Sequence, residues 1–162
     1  MTRTPAIQDD YPADVAHCYG CGRLNEHGHQ LKTVWEGEET VSRFTPEPFH
    51  TAIPGYVYGG LIASLIDCHG TGTAAAVAQR AEGVEIGAGS APRFVTASLK
   101  VEFLKPTPLG PELVVRGHAV ERTERKVVVE ATVSAAGDEC AHGVVVAVRM
   151  PEHMAAGDDE PT

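Results

Sequence analysis

The chain has 162 residues, and its 13 lysines and arginines stand against 22 aspartates and glutamates for a formal charge of -9. That length makes one domain with a genuine apolar core, and the acidic balance disfavours nucleic acid, so an anionic ligand needs local basic side chains. Residues 1–14 are polar and carry no apolar h-region, which predicts neither export nor membrane anchoring and a cytoplasmic location.

Residues 1–16 read as a loose N-terminal arm and 151–162 as an acidic, solvated tail, which leaves the domain at 17–150. Near its start, Cys18-Tyr19-Gly20-Cys21-Gly22 has the C-x-x-C spacing of half a zinc site, and Cys140 and His142 are the candidates for two further ligands. One such pair is an incomplete set. The expectation is a glycine-bearing turn with buried thiols and no resident metal, and four cysteines so unevenly spread make no secreted disulfide framework.

Leu31 to Glu36 and Thr40 to Thr45 flank an acidic turn and predict a hairpin. From Gly59 to about Arg80, Leu61, Ile62, Leu65 and Ile66 recur at helical spacing and an alanine run follows, predicting a helix ~33 Å long. A glycine-bearing connection over 83–92 comes next. Val95, Ala97, Leu99, Val101 and Phe103 then alternate with Thr96, Ser98, Lys100 and Glu102, the period of a half-buried strand. After the proline-rich break at 105–111, strands over 113–121, 126–134 and 140–149 are joined by short loops, and the four together predict an antiparallel meander. One long helix between a hairpin and a meander is an α+β layout in which the sheet must wrap the helix.

The chemistry concentrates on that helix. Gly59-Gly60 opens it, where unpaired amides and the positive dipole end favour a developing oxyanion, and Asp67 lies eight residues on among Leu65, Ile66 and Cys68. A carboxylate in such company costs desolvation energy unless it is paired, hydrated or used. Gly60, Ala63, Ser64, Asp67, Gly70, Thr71 and Ala74 fall on one stripe, so the acid stands on a face of small residues that leaves a slot for a ligand or admits a second helix.

These features resemble the hotdog-fold acyl-CoA thioesterase superfamily, of the type found in phenylacetic acid degradation. The resemblance runs from about Cys18 to Arg149 and is carried by Cys18 to Gly22 with Asn25 and Gly28, by Pro54-Gly55 through Gly59-Gly60, by Asp67, and by Thr96 to Leu104 before Lys105-Pro106. It implies a hotdog fold, an antiparallel sheet wrapped around one long central helix, and hydrolysis of an acyl-CoA thioester with no cofactor beyond the coenzyme A of the substrate. The backbone N–H of Gly59, supported by Gly60, would stabilise the oxyanion, Asp67 would act as general base or nucleophile, and Thr96 would orient water. The working unit implied is a homodimer or a dimer of dimers, with no nucleic acid and no membrane partner.

Relatives commonly carry His-Gly-Gly where this chain has Tyr58-Gly59-Gly60. Tyr58 either takes over positioning of the carbonyl or marks a site that binds without turnover, so a non-catalytic acyl-CoA-binding protein is the alternative, and a hydratase or dehydratase a third reading. His50 and His69 offer imidazoles, although His69 points about 160° from Asp67 around the helix. His50 and Ser64 are candidate substrate contacts, and Lys105, Arg122, Arg125 and Lys126 are candidates for the phosphates. Gly59 and Asp67 are ~12 Å apart along one helix, so a single carbonyl is within reach of both only if two chains share each site.

Overall fold

The helix α1, Gly59–Ala81, is apolar on most sides, so it is stable only if covered nearly all round. In a computed structural model describing residues 3–155, a six-stranded sheet covers it. The strands are β1 (Thr33–Glu36), β2 (Glu39–Phe44), β3 (Phe94–Phe103), β4 (Leu113–Arg122), β5 (Lys126–Ala135) and β6 (Asp138–Arg149). They lie in the order β1-β2-β4-β5-β6-β3, with every pairing antiparallel. This is the hotdog arrangement. A short helix, α2 (Glu152–Ala155), follows, and the rest of the acidic tail, 156–162, lies outside the described residues.

Length and hydropathy would also let α1 cross a membrane, but 78% of its most apolar window is buried within this chain. Leu65 and Ile66 are fully buried, and each such side chain contributes roughly 1.5–3 kcal/mol. Facing them, alternate residues of β5 (Val127, Val129, Ala131, Val133) are buried, as period two requires of a sheet with one face on the core. Gly70 sits so close to the sheet that a Cβ there would lie 2.5 Å from Val145. The small-residue stripe is thus divided: Gly60, Ala63, Ser64 and Asp67 remain at least partly open, whereas Gly70, Thr71 and Ala74 are buried in the chain's own core.

Three sequence expectations need correction. The meander has three strands, β4-β5-β6, and β3 stands beyond it at the far edge, paired with β6. Tight loops enforce the neighbours β4-β5 and β5-β6, but the connection over 104–112 is long enough to carry the chain across the sheet, so β4 pairs with β2 instead. Residues 3–16 are no loose arm. Ile7 and Tyr11 are buried, and Gln8 closes the start of β1 by accepting from the Thr33 amide (2.8 Å) and donating to the Thr33 hydroxyl (3.1 Å).

The third correction concerns β3, which is mostly exposed rather than half-buried, being paired on one side only. Its register against β6 shifts between Thr96 and Ser98. That bulge reverses the parity of the strand: Phe94 and Thr96 face inward before it, and Phe103 faces α1 after it. In a regular strand, Thr96 and Phe103, seven residues apart, would lie on opposite faces.

Candidate active site

Local backbone contacts fix the start of α1. The Tyr58 amide donates to the His50 carbonyl (2.9 Å), and the Tyr58 carbonyl accepts the Leu61 amide (3.1 Å). The amides of Gly59 and Gly60, in the first turn, have no intrahelical acceptor. Leading into them, the 51–58 loop is tied to the β3–β4 connection by Val57 N to Thr107 O and Leu109 N to Gly55 O, each 2.9 Å. Between these segments lies a pocket of about 580 Å³, lined by Ile53, Val57, Gly59, Ile62, Phe103 and Lys105 among others. The Thr107 hydroxyl, on the same wall, is buried with no hydrogen-bond partner among the described residues. An apolar pocket with a helix N-terminus and one cation at its rim suits an acyl group ending in a carbonyl.

Of the two glycines only Gly60 is crowded: a Cβ there would overlap the Tyr58 ring, whereas one on Gly59 would meet the Phe103 ring at 3.4 Å, an ordinary contact. Tyr58 therefore lies across the helix start, and it remains 57% exposed.

Asp67 is half-buried two turns further along α1, and its Oδ1 accepts a short hydrogen bond from the Thr96 hydroxyl of β3. The bond joins the two residues singled out for general base or nucleophile and for orienting water, and the bulge beside Thr96 aims its side chain at the helix. The second carboxylate oxygen has no protein partner among the described residues. Asp67 and Thr96 do not line the pocket at Gly59. Within one chain the helix-start amides and the carboxylate thus occupy different stretches of the α1–β3 seam, with eight residues of helix, about 12 Å, between them.

The other candidate residues divide. His50 accepts the Glu47 amide at Nδ1 (2.8 Å) and packs its ring on His29, Phe44 and Phe49, so it holds the loop before Tyr58. Ser64 turns back to the Leu61 carbonyl (2.7 Å). Lys105 reaches the pocket, and among the described residues its one ion pair is a long, exposed one to Asp138 at 3.8 Å. Arg122, Arg125 and Lys126 lie in the β4–β5 hairpin at the Thr96 end of the sheet. Arg122 pairs with Val127, Val127 with Ala147 and Ala147 with Thr96, three strand spacings or about 14 Å. Lys105 and the hairpin cations therefore serve opposite ends of β3.

His69 points away from Asp67 as helical geometry requires. It is fully buried, bonded to Thr40 Oγ1 (3.1 Å) and Ser42 Oγ (2.7 Å), and burial pushes its pKa down to about 3. A neutral imidazole so placed is structural. Sequence reasoning missed Phe103 and Thr107 as pocket residues. By alternation Phe103 falls on the half-buried face of a regular strand, and a threonine inside a proline-rich break gives no signal of burial.

The single long helix wrapped by an antiparallel sheet defines the protein as a member of the hotdog fold class. A family model for the thioesterase superfamily matches residues 54–142, and the chain belongs to that superfamily. A thioesterase superfamily protein from Shewanella loihica PV-4 is 55% identical over 78% of this chain and 96% of its own, with a TM-score of 0.64. A phenylacetic acid degradation-related protein from Ralstonia eutropha JMP134 shares the fold at 18% identity (TM-score 0.57), covering 74% of this chain and 85% of its own. A Streptococcus mutans UA159 protein whose structure holds acetyl CoA is 22% identical over 79% of this chain and 96% of its own, with a TM-score of 0.56. No curated protein shows significant similarity to the chain.

Proposed function

We propose that this protein hydrolyses an acyl-CoA thioester to the free acid and coenzyme A. The observation that carries the reading is the Thr96–Asp67 hydrogen bond, which fixes one carboxylate oxygen and leaves the other for a water or for the thioester carbon. As general base, Asp67 takes a proton from water as its oxygen attacks the carbonyl; as nucleophile, it forms an acyl–enzyme anhydride that water then opens. On either route the carbonyl oxygen becomes an oxyanion held by the Gly59 amide, a contact worth roughly 3–4 kcal/mol in such sites. The thiolate of coenzyme A leaves. The acyl group fits the pocket by Phe103 and Ile53, and Lys105 at the rim suits a phosphate.

The 12 Å between Gly59 and Asp67 favours a homodimer, or a dimer of dimers, in which each site takes the amide from one chain and the carboxylate from the other. The exposed edge of β3 supports this, since Leu99, Phe103 and Leu104 are all at least 40% exposed there. The Streptococcus mutans neighbour that holds acetyl CoA supports the substrate class. Tyr58 across Gly60 favours the second reading, a protein that binds acyl-CoA without turnover.

Free-thiol release from a panel of acyl-CoAs, set beside binding on the same panel, separates the two. Hydrolysis that falls about 100-fold or more in Asp67→Asn, with the fold intact, supports the enzyme. Binding without release selects the second reading.

A further inference from the structure

Cys68 follows Asp67 directly on α1, and its side chain meets the N-terminal C-x-x-C turn that the sequence left without partners. The sulfurs of Cys18, Cys21 and Cys68 all lie within 4.8 Å of one another, and those of Cys18 and Cys68 are 3.9 Å apart. Cys140 and His142, the ligands suggested by residue type, stand on β6 outside this group. The expectation of no resident metal assumed two thiols; the fold supplies three.

We propose that Cys18, Cys21 and Cys68 form a binding site for a thiophilic divalent metal ion of the zinc class, which ties the N-terminal segment to α1 beside Asp67. Tetrahedral zinc holds sulfur at about 2.3 Å, which sets its sulfurs ~3.8 Å apart, so the cluster needs contraction of at most about 1 Å. A disulfide needs an S–S distance of about 2.05 Å, far shorter than 3.9 Å, and would leave the third thiol unused.

The turn around the cluster is tight: Gly22 N donates to the Cys18 carbonyl at 2.7 Å and closes the loop. Close packing fixes the sequence: a Cβ on Gly20 would overlap the Cys68 sulfur, and one on Gly22 would overlap Cys18 N.

Tyr11 is buried and its hydroxyl has no hydrogen-bond partner among the described residues, and the Arg93 guanidinium lies 4.8 Å from the centre of its ring. Cys18 is half-exposed and gives the ion its entry path. Binding releases the thiol protons to solvent, and no electron is transferred.

The site does not depend on the proposed hydrolysis and is read by metal content. The full-length chain, purified under reducing conditions without chelator, is expected to hold one zinc per chain by elemental analysis. The zinc-free chain is expected to take up one Co²⁺ with thiolate-to-cobalt charge-transfer absorption. Cys18→Ser should weaken that binding about tenfold or more, and Cys140→Ser should leave it unchanged. Because Cys21 and Cys68 are buried, the parent chain provides a measurement independent of their variants. Zinc should slow alkylation of Cys18, the one cysteine that is not buried, read by intact mass. A chain with no metal, Cys18 alkylation at the same rate with and without zinc, a stable Cys18–Cys68 disulfide, or cobalt binding unaffected by Cys18→Ser would each overturn the proposal.

Discussion

Two inactive variants should restore each other if each active site is assembled from two chains. Gly59→Pro removes the amide proposed to hold the oxyanion, and it does so at the first helical position, where proline's fixed φ is tolerated. The nearest side chain to the added Cβ is Phe103 at 3.4 Å, so the fold should survive. Asp67→Asn keeps the shape of the side chain and its acceptor for Thr96 while removing the charge. Helix α1 is unbroken from Gly59 to Ala81, so eight residues separate the two groups by about 12 Å, and an aspartate leaning toward the helix N-terminus recovers only part of that. In a C2 dimer carrying one variant per chain, one site would lose both groups and the other would keep both. Random exchange of equal amounts makes about half the dimers mixed, so thiol release should return to about a quarter of the parent's rate. Native mass spectrometry verifies exchange, and circular dichroism verifies folding. If both checks pass and activity stays at the level of the separate variants, the shared site is wrong.

Thr96→Val removes a hydrogen bond to a charged carboxylate, worth roughly 1.5–3 kcal/mol, so kcat should fall about 10- to 150-fold with KM little changed. Thr96→Ser should recover most of it, and full activity in the valine variant would remove Thr96 from the mechanism. Stability should fall as pH drops from about 6.5 toward 3, because the unfolded chain takes up a proton on His69 that the folded chain, with its imidazole at about 3, refuses. The slope is about 1.4 kcal/mol per pH unit over that window, and partial burial of His29 beside His50 adds in the same direction. Denaturant titrations from pH 7 to pH 5 should therefore show a shallower decline in His69→Gln than in the parent; identical slopes would refute the assignment.

Helical spacing of Leu61, Ile62, Leu65 and Ile66 located α1 to within a residue, and period-two runs located the strands, because local periodicity reflects which side of an element is buried. Gly59 and Asp67 stand out as candidates in the sequence, since a glycine pair at a helix start and a lone acid among apolar residues do so against any fold, whereas Thr96 is a candidate only through the family resemblance. Three features belong to tertiary structure alone. The place of β3 at the sheet edge depends on a crossing that a long connection permits but does not dictate, whereas tight hairpin loops leave one choice. The inward turn of both Thr96 and Phe103 depends on one bulged residue, which alternation cannot reveal because it breaks the alternation. The meeting of Cys68 with the C-x-x-C turn joins residues far apart in sequence, 50 in the case of Cys18, a contact made only when the N-terminal turn packs on the helix.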